Sequence, residues 1–310
     1  MFKLKCIKGI CYFIPPIATQ KIRSTLVSIE EAERISMPFK SKSFTGGYFI
    51  GNTNDFHAFS FYMHGYYDWR NIIICNEALK YKKGDIIEVG ANIGTETISF
   101  TNLAKKNNVN VHAFEPLPTN LEYIFKFKEY NGYNNLKVYD KLVSDKNSVV
   151  PFSVPQGNSS GSGFIINSDA DKGNVVKEFE AITIDTFLSD MPSCSQIFVD
   201  VEGLEYKVLK GAEKTIEKFK PFLILEVNQK YLLQRSNVLL KDFYGFLTGQ
   251  GYHCYYIGKF GLEAVDINHF QERSNRNWLC IHETDMAVTK KINNAIKYNC
   301  FNPLINFYII

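Results

Sequence analysis

The sequence predicts an α/β fold built on a mostly parallel sheet, with an N-terminal accessory segment in front of it. Three observations predict this. From Lys82 onward, short apolar runs alternate with helix-length segments. A glycine turn, Glu88-Val-Gly90-Ala-Asn92-Ile-Gly94, follows directly on the first of these runs. Acidic residues then recur at the carboxyl ends of the predicted strands, where open α/β sheets place their ligands.

In chain order, Asp85 to Val89 reads as a buried strand and Thr95 to Lys106 as the helix after its turn. Val109 to Glu115 is a second strand. Pro118 to Tyr130 is a second helix, with Pro118 suited to its first position. Leu136 to Val143 is a third strand. Val149 to Val154 is strand-like, and Gln156 to Gly163 is a Gly/Ser/Asn loop that either helps shape a ligand pocket or is an ordinary exposed loop. Gln196 to Val201 and Phe222 to Val227 are further strands, separated by a helix from Leu204 to Phe219. Leu239 to Thr248 is a helix, and Gly249 suits its stop. Tyr252 to Ile257 and Asn277 to His282 close the pattern as two strands antiparallel to each other, and Val288 to Tyr298 is a last helix. Strands and helices of this size imply right-handed crossovers. The expected division is an accessory segment over 1–80, a ligand-binding domain over 81–285 and a tail over 286–310.

Composition narrows the function. The 310 residues carry 35 basic and 32 acidic side chains, a net charge of +3, which argues against a dedicated nucleic-acid binder. The seven cysteines are scattered without a C-x-x-C pair, so they read as buried thiols of a reducing, cytoplasmic compartment rather than a disulfide framework or zinc site. Residues Cys6 to Ala18 are apolar with Lys3, Lys5 and Lys8 close by. Lys8, Pro15 and Pro16 interrupt them, and the run is shorter than the ~20 residues a membrane span needs. It reads as a helix packed on the core, with a basic arm touching the inner membrane face as the sharper alternative. No dense metal motif, nucleophile elbow or P-loop is present; a divalent metal is compatible with the carboxylates but not indicated.

The glycine turn lets the chain bend sharply after a buried strand and brings a ligand to bare backbone, with the next helix aimed at it. It lacks the G-x-G-x-x-G fingerprint, which disfavours NAD and an oxidoreductase. Glu88 before the first glycine suits a positively charged cofactor, and S-adenosylmethionine carries a sulfonium and an ammonium. Glu115, twenty-five residues after Gly90, is placed to accept hydrogen bonds from both ribose hydroxyls. Ser144 and Asp145 end the third strand within reach of an adenine amino group, or form a polar turn. Asp200 and Glu202, two residues apart, point the same way from the fourth strand, and Glu226 ends the fifth. Glu205 reads as a partner of its helix dipole. Tyr62, Tyr66, Tyr67 and Trp69 read as core, with a sugar-stacking wall as the alternative.

Taken in order, Asp85-Ile-Ile-Glu-Val-Gly-Ala-Asn-Ile-Gly94, Ala113-Phe-Glu-Pro116, Val143-Ser-Asp145, Ile184-Asp-Thr-Phe187, Val199-Asp-Val-Glu-Gly-Leu-Glu205 and Val208-Leu-Lys-Gly-Ala212 resemble the FkbM-type methyltransferases. Gly65-Tyr-Tyr-Asp68 resembles that family's lead-in. The resemblance spans roughly Gly65 to His282. It implies a Rossmann-like class I methyltransferase fold, with helices on both faces of a seven-stranded sheet whose last strand is antiparallel. It also implies S-adenosylmethionine as donor and an oxygen acceptor on a sugar, glycolipid, polysaccharide or secondary metabolite. The sequence departs from the family in having Phe198 where a lysine is frequent, and Asp68 where the lead-in acid is usually glutamate. The expected donor site is therefore Glu88, Gly90, Ala91, Asn92, Gly94, Glu115, Pro116, Ser144 and Asp145. The expected proton acceptors are Asp200, Glu202 and Glu226, with His282 in reserve. A catalytically inactive binding protein on the same fold is the alternative.

Overall fold

The computed structural model describes residues 2–154, 164–165, 175–273 and 276–306. The predicted loop at 156–163 lies outside the described residues. Three helices open the chain: α1 (Phe2–Cys11), α2 (Pro16–Leu26) and α3 (Ile29–Ile35). The hairpin β1 (Pro38–Lys42) and β2 (Tyr48–Asn52) leads into α4 (Phe56–His64) and α5 (Trp69–Tyr81). Asp55 caps α4 by accepting from the Ala58 N–H at 2.8 Å, and Asp68 caps α5 by accepting from the Arg70 N–H at 2.9 Å.

Then come β3 (Asp85–Val89), α6 (Thr97–Lys106), β4 (Val111–Phe114), α7 (Pro118–Asn131) and β5 (Leu136–Tyr139). An insert follows: β6 (Leu142–Val143), β7 (Ser148–Val154), β8 (Phe164–Ile165) and β9 (Val175–Ile182). The chain returns through α8 (Ile184–Phe187), β10 (Cys194–Val199), α9 (Glu205–Lys210), α10 (Glu213–Phe219) and β11 (Phe222–Glu226). It ends with α11 (Gln229–Tyr231), α12 (Leu240–Gly249), β12 (Tyr252–Gly258), β13 (Gly261–Ala264), β14 (Asn277–His282) and α13 (Thr289–Cys300).

The central sheet has eight strands in the order β13-β12-β14-β11-β10-β3-β4-β5. β5, β4, β3, β10 and β11 are parallel, and β14 joins β11 antiparallel. The expected seven-stranded plan is there, with β13 added at its edge through a tight hairpin from β12. Strand β3 is buried along its whole length, as the run Asp85-Ile-Ile-Glu-Val89 requires of a strand covered on both faces.

Two expected elements are divided. Leu136 to Val143 breaks after Tyr139: β5 closes the central sheet, while β6 pairs with β9 in a separate four-stranded sheet ordered β6-β9-β7-β8. The helix expected from Leu204 to Phe219 is α9 and α10, broken at Gly211, where a Cβ would come within 2.0 Å of the Ser144 carbonyl oxygen.

Apolar residues on one side of the sheet form one cluster reaching from Leu4 of α1 to Ile305 beyond α13. The expected helix near the N-terminus packs into it through Leu4, Ile7 and Cys11. No described helix is long and apolar enough to cross a membrane.

Candidate functional site

The sheet order reverses at β3. β4 and β5 lie on one side of it and β10 and β11 on the other, so a crevice opens at the carboxyl ends of β3 and β10. A cavity of about 360 Å³ occupies it, within the size range of small-molecule sites. Its floor is Gly90 and Asn92 after β3, Glu115 to Leu117 after β4, Asp200 to Glu202 after β10, and Glu226 at the end of β11. Phe114, Leu142, Val143 and Phe152 form an apolar wall, and His57 of α4 and Tyr67 of the α4–α5 loop approach from the N-terminal segment. A small annexe beside it is lined by Glu88, Ala91, Thr95 and Glu96.

The glycine turn is held by its neighbours. The Gly90 and Ala91 N–H groups both donate to the Phe114 carbonyl at 3.0 Å, and the Asp200 N–H donates to Val89 O at 3.0 Å. Gly90 has φ +86°, and a Cβ there would lie 2.0 Å from the Asp200 carbonyl oxygen. The residue is glycine because two strand ends meet against it. Gly94, also at positive φ, lines no part of the cavity: a Cβ there would strike the Phe127 ring at 2.5 Å. Asn92, at φ +52°, presents its left-handed backbone to the cavity.

Glu115 is buried, and both of its oxygens accept hydrogen bonds. Its Oε2 accepts from the Asn92 N–H at 2.9 Å; its Oε1 accepts from the Leu117 N–H at 2.9 Å and Asn120 Nδ2 at 3.1 Å. Burial pushes its pKa up to about 7 against those three hydrogen bonds. A carboxylate has about four acceptor sites, so Oε2 keeps one for a ligand.

Asp200 and Glu226 are brought together by register. Val199 pairs with Leu225 in parallel strands, so the next residue on each strand leaves the sheet beside the other. The Asp200 carboxyl is held well above the ordinary range, first by enclosure among protein walls, then by the charge of Glu226 and a hydrogen bond with it. Glu202 is offset from this pair. It sits at φ +54°, its carbonyl accepts from Arg235 Nη1 at 2.5 Å, and its carboxylate stands 3.9 Å from the same nitrogen. Burial and Glu226 raise its pKa, while Arg235 and Arg276 oppose the rise. Glu205 holds this loop by accepting from the Val201 and Gly203 N–H groups at 3.3 and 3.0 Å. That is a backbone-binding role as well as a position in the first turn of α9.

In the annexe, Glu88 is 5% exposed and its Oε2 has no hydrogen-bond partner. Burial raises its pKa to about 8. Glu96 is also held well above the ordinary carboxylate range, by burial and then by the charges of Asp68 and Glu88. Among the described residues, no group of three His, Cys, Asp or Glu side chains is arranged to hold a metal ion.

Several expected residues fall elsewhere. Ser144 donates to the neighbouring Asp145 at 3.0 Å, and its own N–H to Ile182 O; neither residue lines the cavity, whose wall is made by Leu142 and Val143 just before them. The split of the third strand turns the chain into the second sheet at that point. His282 lies at the wrong end of the sheet. β14 runs antiparallel to β11, so its last residue is carried away from Glu226, which pairs with Asn277. There it binds Thr284 through Nδ1 at 2.9 Å. Of the four aromatics near the lead-in, Tyr62, Tyr66 and Trp69 are buried, and Tyr67 faces the cavity. His57 and Glu96 were not anticipated as site residues, and Tyr67 only within the alternative of a sugar-stacking wall. His57 comes from helical sequence without a motif, Tyr67 from the Gly65-Tyr-Tyr-Asp68 lead-in, and Glu96 is two residues beyond the glycine turn.

The sequence model of the methyltransferase FkbM domain matches residues 88–254, more than half of the chain. Among solved structures, the chain is similar to the methyltransferase FkbM from Methylobacillus flagellatus KT, at 14% identity and TM-score 0.40, over 90% of this chain and 58% of that one. The chain thus spans under two thirds of that protein. It is also similar to precorrin-6y C5,15-methyltransferase from Geobacter metallireducens GS-15, at 13% identity and TM-score 0.35, over 68% of this chain and 85% of that one. A third is TYW2 from M. jannaschii, solved with AdoMet, at 15% identity and TM-score 0.36, over 79% and 84% of the two chains. No curated protein matches the chain.

Proposed function

Because the chain belongs to the FkbM methyltransferase family, we propose that it is an S-adenosylmethionine-dependent O-methyltransferase acting on a hydroxyl of a small molecule or glycan. The observation that carries this reading is the Asp200–Glu226 pair, set side by side at the mouth of the same cavity that the glycine turn and Glu115 line.

The residues present fit the donor. Glu115 keeps an acceptor site for ribose hydroxyls, and Phe114, Leu142 and Val143 offer an apolar wall to a flat base. Glu88, with an orphan carboxyl oxygen, makes the annexe suited to a cationic group. Bound S-adenosylmethionine would supply a methyl group on a positively charged sulfur, open to in-line displacement by oxygen. The chain's own part is alignment, worth up to about 7–11 kcal/mol in favourable cases, and removal of the hydroxyl proton. Burial, and then the charge of Glu226, raise the Asp200 carboxyl above the ordinary range, which strengthens it as the base that accepts the proton of the acceptor hydroxyl. Glu202, partly neutralised by Arg235, sets the position of the loop and is the lesser candidate.

Calorimetric titration with S-adenosylmethionine and S-adenosylhomocysteine tests the reading. The wild type should bind both, and Glu115→Gln should weaken both. Glu115→Ala would also release the Asn92, Leu117 and Asn120 donors and so confound the result. Asp200→Asn should bind the donor within a few-fold of wild type and turn over ~10²–10⁴-fold more slowly. Absence of binding to either compound would sink the methyltransferase reading in favour of a binding protein on this fold.

A further inference from the structure

A second cavity, about 690 Å³, lies between α2, the start of α5 and the β12–β13 turn. It shares Phe56 and Tyr67 with the cavity described above. Its lining is rich in cations: Arg23, Arg70, Lys259 and Arg273. Two of these are already neutralised. Arg70 holds Asp68 through two bonds at 2.7 and 2.9 Å, and Arg273 holds Glu263 at 2.6 Å.

Arg23 is different. It is 3% exposed, its guanidinium lies 5.3 Å over the Phe59 ring, and its Nε has no hydrogen-bond partner. Among the described residues, its side chain makes no ion pair or hydrogen bond. The adjacent His64 adds no second positive charge: burial, reinforced by the Arg23 charge, keeps that ring neutral. A buried cation without a partner is costly to the fold, and arginine's planar fork matches an oxyanion. Lys259 stands exposed at the rim of the same cavity. Glu30, the acid on its outer side, is exposed on α3.

We propose that Arg23, with Lys259 at the rim, binds an oxyanion carried by the acceptor, a phosphate or a carboxylate, and so holds the acceptor with its hydroxyl toward Asp200 and Glu226 past Tyr67. This names the acceptor class of the reaction proposed above and rests on that reading for the hydroxyl end alone; the oxyanion site stands on Arg23 and its cavity.

Trp69 lines the cavity, while Trp278 is buried in β14, so tryptophan fluorescence reports on the site. The probes are inorganic phosphate, pyrophosphate and glucuronate, titrated at low salt into the full chain, with Trp69→Phe to assign the signal. A saturable change is expected with at least one probe, and the stronger of the phosphate and carboxylate arms identifies the group. Arg23→Met should bind at least tenfold more weakly and Lys259→Gln several-fold more weakly, both with S-adenosylmethionine affinity within twofold of wild type. Arg23→Met should also melt higher, because an unpaired buried charge is removed. If it does not fold, Arg23→Lys, which keeps the charge and loses the fork, carries the comparison. A wild type that binds none of the three probes, or an Arg23 variant whose curve overlays the wild type, would overturn the proposal. Oxyanion binding through Arg23 in a protein that binds no S-adenosylmethionine would leave this site standing and remove the methyltransferase reading instead.

Discussion

Glu88, Glu115 and Glu205 are buried acids whose pKa values rise from 4.5 to about 8, 7 and 8, with burial the largest cause in each. Each therefore holds a proton in the folded chain that the unfolded chain releases. The stabilisation is fully present below about pH 4.5 and is lost as pH rises toward 8, at up to ~1.4 kcal/mol per pH unit for one such group. Without donor, the protein should accordingly unfold at higher urea at pH 5 than at pH 8. Glu88→Gln keeps the shape and removes one titration. It should raise the pH 8 midpoint toward the pH 5 value, while weakening S-adenosylmethionine about tenfold, because the cationic donor can no longer draw a proton off this side chain and pair with its carboxylate. Urea titrations at pH 5, 7 and 8 measure the first effect and calorimetry the second. A Glu88→Gln variant with the wild-type pH slope would show that Glu88 is ionised in the folded chain.

The two glycines of the turn look equivalent in sequence but serve different elements. Gly90 lies where the ends of β3 and β10 meet, and Gly94 where the turn packs against α7. Gly90→Ala drives a methyl into the Asp200 backbone, so it should abolish donor binding along with a stability loss of ~2–4 kcal/mol from clash and left-handed strain. Gly94→Ala meets the Phe127 ring instead, and should lose ~1–3 kcal/mol while the donor still binds. Thermal melts beside calorimetry separate the two; equal loss of binding would place Gly94 in the donor site after all. Strands β4, β10 and β11 were legible because each is a mostly buried run with an acid at or just after its end. What was not legible is where such a run changes sheets: the charged Asp140-Lys141 sits at the break between β5 and β6, but the change of sheet is set by pairing with the distant β9. Glu115 was legible as a ligand acceptor, but its hold on the Asn92 and Leu117 N–H groups depends on loop geometry with no sequence signature.

At the scale of the whole molecule, the first eighty residues resist periodicity analysis for a physical reason. Helix α4 is buried from Ala58 through His64, so it shows no apolar stripe. It can be buried all round because α1, α3 and the β1–β2 hairpin pack around it. The last helix, α13, does carry a stripe, with Ile292, Ile296 and Cys300 buried at four-residue spacing. It packs on α5, whose N-terminus carries the Asp68–Arg70 pair and follows Tyr67. Lys82, just after α5, reaches Asp285 at 2.5 Å before α13 begins, fixing the two segments to each other. The tail is thus a support for the wall that both cavities share. Ile296→Ala, at a site with no exposure, should lower unfolding free energy by ~2–5 kcal/mol in urea titrations. It should also loosen Tyr67 and Asp68 from behind, raising the acceptor KM more than it lowers kcat, since Asp200 and Glu226 are held by the sheet itself. A loss below ~0.5 kcal/mol would mean that α13 rests on the surface and that α5 is sealed without it.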